Sequence, residues 1–447
     1  MIKKIVLSEF ATEIIKKLEA AGYEAYAVGG CVRNGIMKIP VSDYDITTSA
    51  LPKETEKVLK DYKIAETGIK HGTITVMCKG NTAEITTFRV DGEYKDCRRP
   101  ENVFFTCDLT KDLARRDFTV NAIAYSESKG IIDIFDGESD IKTNTLRCVG
   151  EAEKRFEEDA LRIMRGLRFM TVYGFKAEKK TALALHNKKH LLKAISPERV
   201  NSELCKMLCG KAEYLYPVLM EYYDILGEVI PEILQCVDFD QKNHYHNLDV
   251  WEHTVKAICS IEPVAHLRLA MLFHDLGKPY CYQFYNNEGH FKGHASISGE
   301  ICEKRMKELR FDNETLQNVL ALVKRHDMIM KNDGVILKKQ LNKYGENLFF
   351  DLIKVHIADD TAKSAAAQGR IAEYKEAAET AKTAISQQEC FSLKKLAVNG
   401  NDIIKMGFRG KEVGAALSFL LNAVMENKID NNYNALTEYL VINKEKM

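Results

Sequence analysis

The chain has 447 residues, 45% hydrophobic and 29% charged, an ordinary globular composition long enough for two to four domains, since single cores stop growing near roughly 250–300 residues. Its 64 basic and 64 acidic residues cancel, which excludes a uniformly basic nucleic-acid coat while permitting a local basic track. No apolar run approaches the roughly 20 residues of a membrane span, residues 1–10 lack a signal-peptide core, and the 12 cysteines form no CxxC pair, so a reduced, cytoplasmic protein is expected.

In chain order, Tyr23–Val28 reads as a short strand running into Gly29-Gly30, where a helix carrying Arg33 opens. Glycines without Cβ atoms let amide groups and a helix N-terminus approach an anion closely. If Ser42–Thr47 is a strand, Asp43 and Asp45 share one face. Carboxylates so placed can hold two Mg²⁺ ions roughly 3.5–4 Å apart, the arrangement for in-line phosphoryl or nucleotidyl displacement. Pro52 opens a helix through about Leu59, and further strands are expected at Thr73–Cys78 and Thr82–Val90. In the last of these Glu84, Thr86 and Phe88 share a face, making Glu84 the candidate third acid. Residues 91–107 mix charge with aromatics without a clean period and read as a ligand-facing loop. Then come Arg115 and Arg116, whose forked donors suit triphosphate oxygens; Asp117, an acceptor for a ribose hydroxyl; and Asn121, a donor to phosphate or sugar. Buried ion pairing is the alternative for Arg116 and Asp117.

From about residue 141 the pattern turns helical, with apolar periodicity from Glu153 to Tyr173. There Asp159 and Arg162 are three apart and so neighbours on a helix. A carboxylate accepting from an exocyclic amino group, beside a guanidinium donating to a ring nitrogen, would hold cytosine or adenine and reject guanine and uracil. An ordinary i,i+3 ion pair is the alternative. Ser196-Pro197 starts another helix, Cys205 and Cys209 lie a turn apart, and Thr361–Lys382 reads as one long surface helix. Basic clusters stand at Arg98-Arg99, Arg115-Arg116 and Lys179–His190, and residues 246–362 are rich in His and Asp.

The runs GGCVRN, SDYDI, AEITTFR, YKDCRRPENVFF, RRDFTVNAIAY, EDALRIMRGLRF and SPERVNSEL, within residues 20–235, resemble in order the motif series of class II (bacterial-type) tRNA nucleotidyltransferases. These are the CCA-adding enzymes, with bacterial poly(A) polymerase as a relative. The resemblance implies an α+β chain: a polymerase-beta-like nucleotidyltransferase head of mixed sheet and helices over 1–140, a helical neck with the base-selecting helix over 141–235, and a tRNA-contacting helical tail over 386–447. It implies Mg²⁺ on Asp43 and Asp45, triphosphate contacts from Gly29, Gly30 and Arg33, and sugar and phosphate contacts from Arg116, Asp117 and Asn121. It also implies base selection by Asp159 and Arg162, with Glu158 and Arg165 in the same motif. The partners implied are the tRNA acceptor arm, CTP and ATP. Asn34 stands where the family usually has an acid, so a lost local ion pair is expected there. Residues 91–105 resemble the loop that members use to switch from C to A addition, which favours CCA or A-only addition over CC-only; neutral charge speaks against poly(A) polymerase.

MLFHDLGKP, with Val250–Thr254 before it and HIADDTA after, resembles an HD-type metal-dependent phosphohydrolase domain over 236–385. Imidazole and carboxylate ligands suit Mn²⁺, Ni²⁺, Fe²⁺ or Mg²⁺. His253, His274, Asp275 and Asp359 would hold one ion, His294 and His326 would assist a second metal or phosphate, and Lys278 would neutralise phosphate charge. Asp360 leaves the last carboxylate ambiguous by one residue. The activity implied is hydrolysis of 2′,3′-cyclic phosphates or related esters; a phosphohydrolase with an RNA-binding head is the non-polymerase alternative.

Overall fold

Seven strands form one mixed sheet in the amino-terminal half of the computed structural model, which describes residues 5–92 and 102–444. Across the sheet they run Lys63–Gly68, Thr73–Cys78, Asn81–Thr87, Tyr44–Thr48, Ala25–Val28, Ile123–Ser126 and Gly130–Asp133. Tyr44–Thr48 and Asn81–Thr87 are parallel, and the other neighbouring pairs are antiparallel. In Asn81–Thr87 the residues Ala83, Ile85 and Thr87 are buried while Glu84 is exposed, the alternation of a strand with one covered face. Helix Glu9–Ala20 buries Phe10, Ala11, Ile14, Ile15 and Leu18, an apolar stripe at helical spacing, and packs on the sheet.

Contacts divide the chain into two units, Met1–Leu234 and Gln235–Met447. After the sheet the first unit continues as helices, among them Ala152–Glu158, Leu161–Tyr173, Lys179–Lys188 and Pro197–Leu208. The second unit is almost wholly helical. Helices Val250–Ser260, Asn313–Val323 and Gly334–Thr361 each start on an aspartate side chain that accepts an amide three residues on. A short hairpin, Gln283–Tyr285 with Glu288–His290, interrupts them. Among the described residues no helix is long and apolar enough to cross a membrane.

Several expected elements differ. Asp43 precedes its strand, which starts at Tyr44. The strand from Asn81 ends at Thr87, and Phe88 is buried rather than sharing the exposed face of Glu84. The helix expected from Glu153 to Tyr173 breaks at Asp159, whose backbone is extended (φ −138°, ψ 99°). Its carboxylate accepts from Leu161 N, and this local bond competes with helix continuation. Thr361–Lys382 is likewise three pieces, because Ser364 N turns away to the Tyr245 carbonyl. Ser196 precedes its helix without a side-chain cap. Most of the expected loop at 91–105, with Arg98-Arg99, lies outside the described residues; Arg89–Asp91 and Val103–Phe105 on either side pair as an antiparallel ribbon.

Candidate functional site

The register of the central strands assembles the first site. Val28 pairs with Asp45, and Asp45 with Glu84 on the parallel neighbour, so Gly29 leaves the sheet beside two carboxylates. Gly29 has φ 71° and ψ −129°, a conformation essentially reserved for glycine. A Cβ there would stand 3.3 Å from Arg116 Nη1 and 3.7 Å from Asp45 Oδ2. Backbone, guanidinium and carboxylate therefore converge at one point, and helix Gly30–Met37 opens there.

Asp43, Asp45 and Glu84 are exposed. Partial burial raises the Asp45 carboxyl, with Arg116 opposing and Asp43 reinforcing the rise. Glu84 is raised by partial burial and then by the charges of Asp45 and Asp43. Acids that raise one another in this way fit a shared cation. The trio is open: among the described residues it does not belong to the sets whose ligand atoms all lie within 4.8 Å.

The arginines are held by a residue that the sequence reading passed over. Fully buried Asp112 accepts from Arg115 Nε at 3.0 Å and Nη2 at 2.8 Å, from Arg116 Nη2 at 3.3 Å and from Thr47 Oγ1 at 3.2 Å. Burial pushes its carboxyl up, but Arg116 and Arg115 together carry it below the usual range. The signal lay in its spacing, three and four residues before the arginine pair. Arg116 keeps a buried Nε without a hydrogen bond.

Arg33 is buried and donates only to neutral partners among its printed bonds: Asn121 Oδ1 at 2.5 Å, Tyr173 OH at 2.8 Å, and Asn34 Oδ1 at 2.9 Å from Nη2. It also lies over the Tyr173 ring, 4.2 Å from the centroid. Asn34 thus occupies the place where an aspartate would make an ion pair. Asp117 is spent internally. Its Oδ2 accepts from Arg165 Nε at 2.9 Å and Nη2 at 2.6 Å, and its Oδ1 from Phe118 N and Asn121 Nδ2. Burial would raise that carboxyl; Arg165 and these donors hold it well below the ordinary range. Buried ion pairing, the alternative reading for Asp117, is what this geometry contains.

The side chains of Asp159 and Arg162 turn to different partners. Arg199 Nη2 donates to Asp159 Oδ2 at 2.9 Å, whereas Arg162 Nη1 donates to Glu158 Oε2 at 2.7 Å. The helix break at Asp159 turns its carboxylate toward Arg199, a residue the sequence reading did not single out. Glu158 is also paired with Arg155.

In the second unit the His- and Asp-rich stretch closes into a cluster. His253, His274, Asp275 and Asp359 bring ligand atoms within 4.8 Å of one another, as do Asp275, His294 and His326. His253 Nε2 lies 3.2 Å from Asp275 Oδ2 and 3.1 Å from Asp359 Oδ1. His274, His294 and His326 turn Nδ1 to the backbone carbonyls of Met271, Phe291 and Val323, which fixes the tautomer and aims Nε2 inward. Nε2 atoms then face each other at 3.2 Å (His253, His274) and 3.0 Å (His294, His326). Facing lone pairs repel unless a cation joins them. Oδ1 of Asp275 is buried without a hydrogen bond. This donor set fits two divalent cations with Asp275 between them. Lys363 bridges both carboxylates, 2.5 Å from Asp359 Oδ2 and 3.1 Å from Asp360 Oδ1, but Asp360 turns to Arg370 at 2.8 Å while Asp359 Oδ1 faces His253 at 3.1 Å. Lys278 Nζ lies 2.7 Å from Asp275 Oδ2. A cavity of about 460 Å³ opens over the cluster, with Lys278, Lys363 and Arg370 in its wall.

A mixed-sheet head with carboxylates beside a glycine turn and anchored arginines defines a nucleotidyltransferase, and residues 25–147 match the Poly A polymerase head domain family. Residues 174–236 match the family described as "Probable RNA and SrmB- binding site of polymerase A", and residues 291–440 the family described as "tRNA nucleotidyltransferase domain 2 putative". The chain is 34% identical over 436 residues to the CCA-adding enzyme of Lactobacillus helveticus, covering 96% of each. It is 49% identical over 201 residues to that of Lactobacillus delbrueckii subsp. bulgaricus; there the match spans 45% of this chain and half of the relative. The crystal structure of the Bacillus stearothermophilus CCA-adding enzyme in complex with CTP superposes with a TM-score of 0.71 at 28% identity, over 98% of both chains. The Thermotoga maritima CCA-adding enzyme complexed with tRNA shares the fold, with a TM-score of 0.58 at 19% identity over 98% of this chain and 96% of that one. The chain belongs to the CCA-adding enzyme family.

Proposed function

We propose that this chain is a template-independent tRNA nucleotidyltransferase, building or repairing the 3′-terminal CCA from CTP and ATP with release of pyrophosphate. The observation that carries it is the convergence of Asp45 and Arg116 on the backbone of Gly29, with Glu84 in register beside Asp45 on the neighbouring strand. Magnesium held by Asp43 and Asp45, with Glu84 beside them, would supply Lewis-acid activation for attack of the tRNA 3′ hydroxyl on the α-phosphate. Gly29 and Gly30 admit the triphosphate to the backbone, and Arg116 faces it with a guanidinium already oriented by Asp112. Arg33, Asn121 and Asp117 are buried and join the half-buried Arg165 in one connected network, which positions that wall and the sugar of the nucleotide.

Asp159 and Arg162 are proposed to read the base. The Asp159 carboxylate keeps acceptor capacity beside Arg199, and Arg162 exchanges its Glu158 partner for the ring nitrogen. In this reading residues 1–140 are the head, 141–235 the neck, 236–385 a hydrolase domain and 386–447 a tail on the tRNA acceptor arm. A second activity is proposed for 236–385: hydrolysis of 2′,3′-cyclic phosphates or related phosphoesters at the cluster of His253, His274, Asp275, His294, His326 and Asp359. Divalent metal there would supply a Lewis acid and an activated water. Lys278 and Lys363 would balance phosphate charge.

A tRNA transcript lacking its three terminal nucleotides, incubated with CTP, ATP or both and then sized, tests the main reading. Addition of CCA is the expected product. Extension by ATP only on transcripts already ending in CC would mean an A-adding enzyme, and no extension would reject polymerisation. In the same assay Asp159→Ala is expected to admit GTP or UTP or to stop addition; unchanged CTP and ATP preference would reject its base-reading role.

A further inference from the structure

The hairpin Gln283–Tyr285/Glu288–His290 leaves large aromatics in water. Phe284 is 53% and Tyr285 49% exposed, although one wall of the metal cavity is made from the same segment, through Gly289, His290 and Phe291. The hairpin is not loose. Asn286 and Asn287 both have positive φ (53° and 61°), the requirement of a tight two-residue turn. Gly289 presses so closely on the chain at Gln241 that a Cβ would stand 2.1 Å from that carbonyl. Gly289 N donates to Lys242 O at 2.8 Å, and Asn243 Nδ2 donates to Gly289 O at 3.0 Å.

Strand alternation puts Gln283, Tyr285, Glu288 and His290 on one face. On it the Tyr285 ring lies flat against His290, with centroids 3.7 Å apart and planes 12° apart. His290 lines the cavity, and its Nε2 is buried without a hydrogen bond. A π-stack therefore runs from open solvent to the rim of the metal cluster, ending in an unused polar nitrogen. Lys242, 5.6 Å from the Phe284 ring, adds a cation on the outer face. An exposed ring held rigidly beside a phosphoester cavity is a platform for a nucleobase.

We propose that Tyr285 and His290 form a base-stacking subsite, and that the metal cavity takes the 3′ end of single-stranded RNA, with the terminal phosphate at the cluster and a base on Tyr285. This rests on the phosphohydrolase reading of the same cavity. RNA is favoured over a protein partner because the platform is continuous with a cavity walled by Lys278, Lys363 and Arg370.

The test compares two substrates with Mn²⁺-loaded full-length protein: a short RNA ending in a 2′,3′-cyclic phosphate, and bis(4-nitrophenyl) phosphate, which carries no base. Tyr285→Ala is expected to raise KM for the RNA about tenfold and to leave the aryl diester unchanged, and Tyr285→Trp to restore the RNA KM. Because the chain's single native Trp, Trp251, is fully buried, Tyr285→Trp also provides an emission that a stacked base should quench, whether or not turnover occurs. Equal losses on both substrates, an unchanged RNA KM, or no quenching by the RNA overturns the subsite. An unmodified protein that cleaves neither substrate refutes the phosphohydrolase reading instead, and the quenching then decides on stacking alone.

Discussion

Asp117 divides its oxygens between a guanidinium, an amide side chain and its neighbour's N–H, so one carboxylate ties Arg165 of helix Leu161–Tyr173 to Asn121. Its folded pKa is depressed. The linked stability is therefore fully present above the unfolded value of about 4 and is lost as pH falls through the folded one. Asp117→Asn leaves Arg165 without its charge partner, and Arg165 is about a third exposed, so the cost at neutral pH should sit near the lower limit for broken buried pairs, about 3 kcal/mol. Urea unfolding followed by circular dichroism should show that deficit at pH 7, shrinking as pH drops below about 4. A constant deficit across that window would remove Asp117 from the linkage. At this scale the sequence was a partial guide. The types at 116, 117 and 121 were readable, and Asp112 could have been found from its spacing, but Arg199 reaches Asp159 only through the packing of separate helices.

Among the elements, the strand-to-helix turn at Gly29 is constrained twice over, by its backbone conformation and by its neighbours. Alanine there meets both a disallowed φ and a Cβ position 3.3 Å from Arg116 Nη1. Gly29→Ala should cost about 1–3 kcal/mol and displace Arg116, raising KM for CTP and ATP more than it lowers kcat. Steady-state addition kinetics and a thermal melt check this, and wild-type values in both would show that the turn tolerates a side chain. The strands at 25–28, 44–48 and 73–78 were legible because their apolar runs are short and flanked by turn residues. The break at Ser364 was not, since it depends on the distant Tyr245 carbonyl, and the one at Asp159 rests on a local carboxylate bond to Leu161 N that an unbroken apolar period conceals. The metal cluster was readable as a list of residue types in order. Its closure, and the turning of Asp360 toward Arg370 rather than the histidines, needed the fold.

For the molecule as a whole, the two sets of acidic and imidazole groups belong to separate units, each with its own core. Asp45→Ala should abolish nucleotide addition and preserve phosphoester hydrolysis, while Asp275→Ala should do the reverse. Assaying both variants on a tRNA transcript and on a cyclic phosphodiester separates the activities; joint loss in either variant would mean one site serves both. Asp45 and Glu84 carry a further implication through their strands. They meet only because two parallel strands pair in one alignment, and sliding either by a single position would send Glu84 into the apolar interior and bring Ile85 to the ligand side. Nucleotide chemistry in this chain is thus written into the centre of its sheet instead of onto a detachable loop, so whatever loosens the pairing of those two strands disarms the site with it.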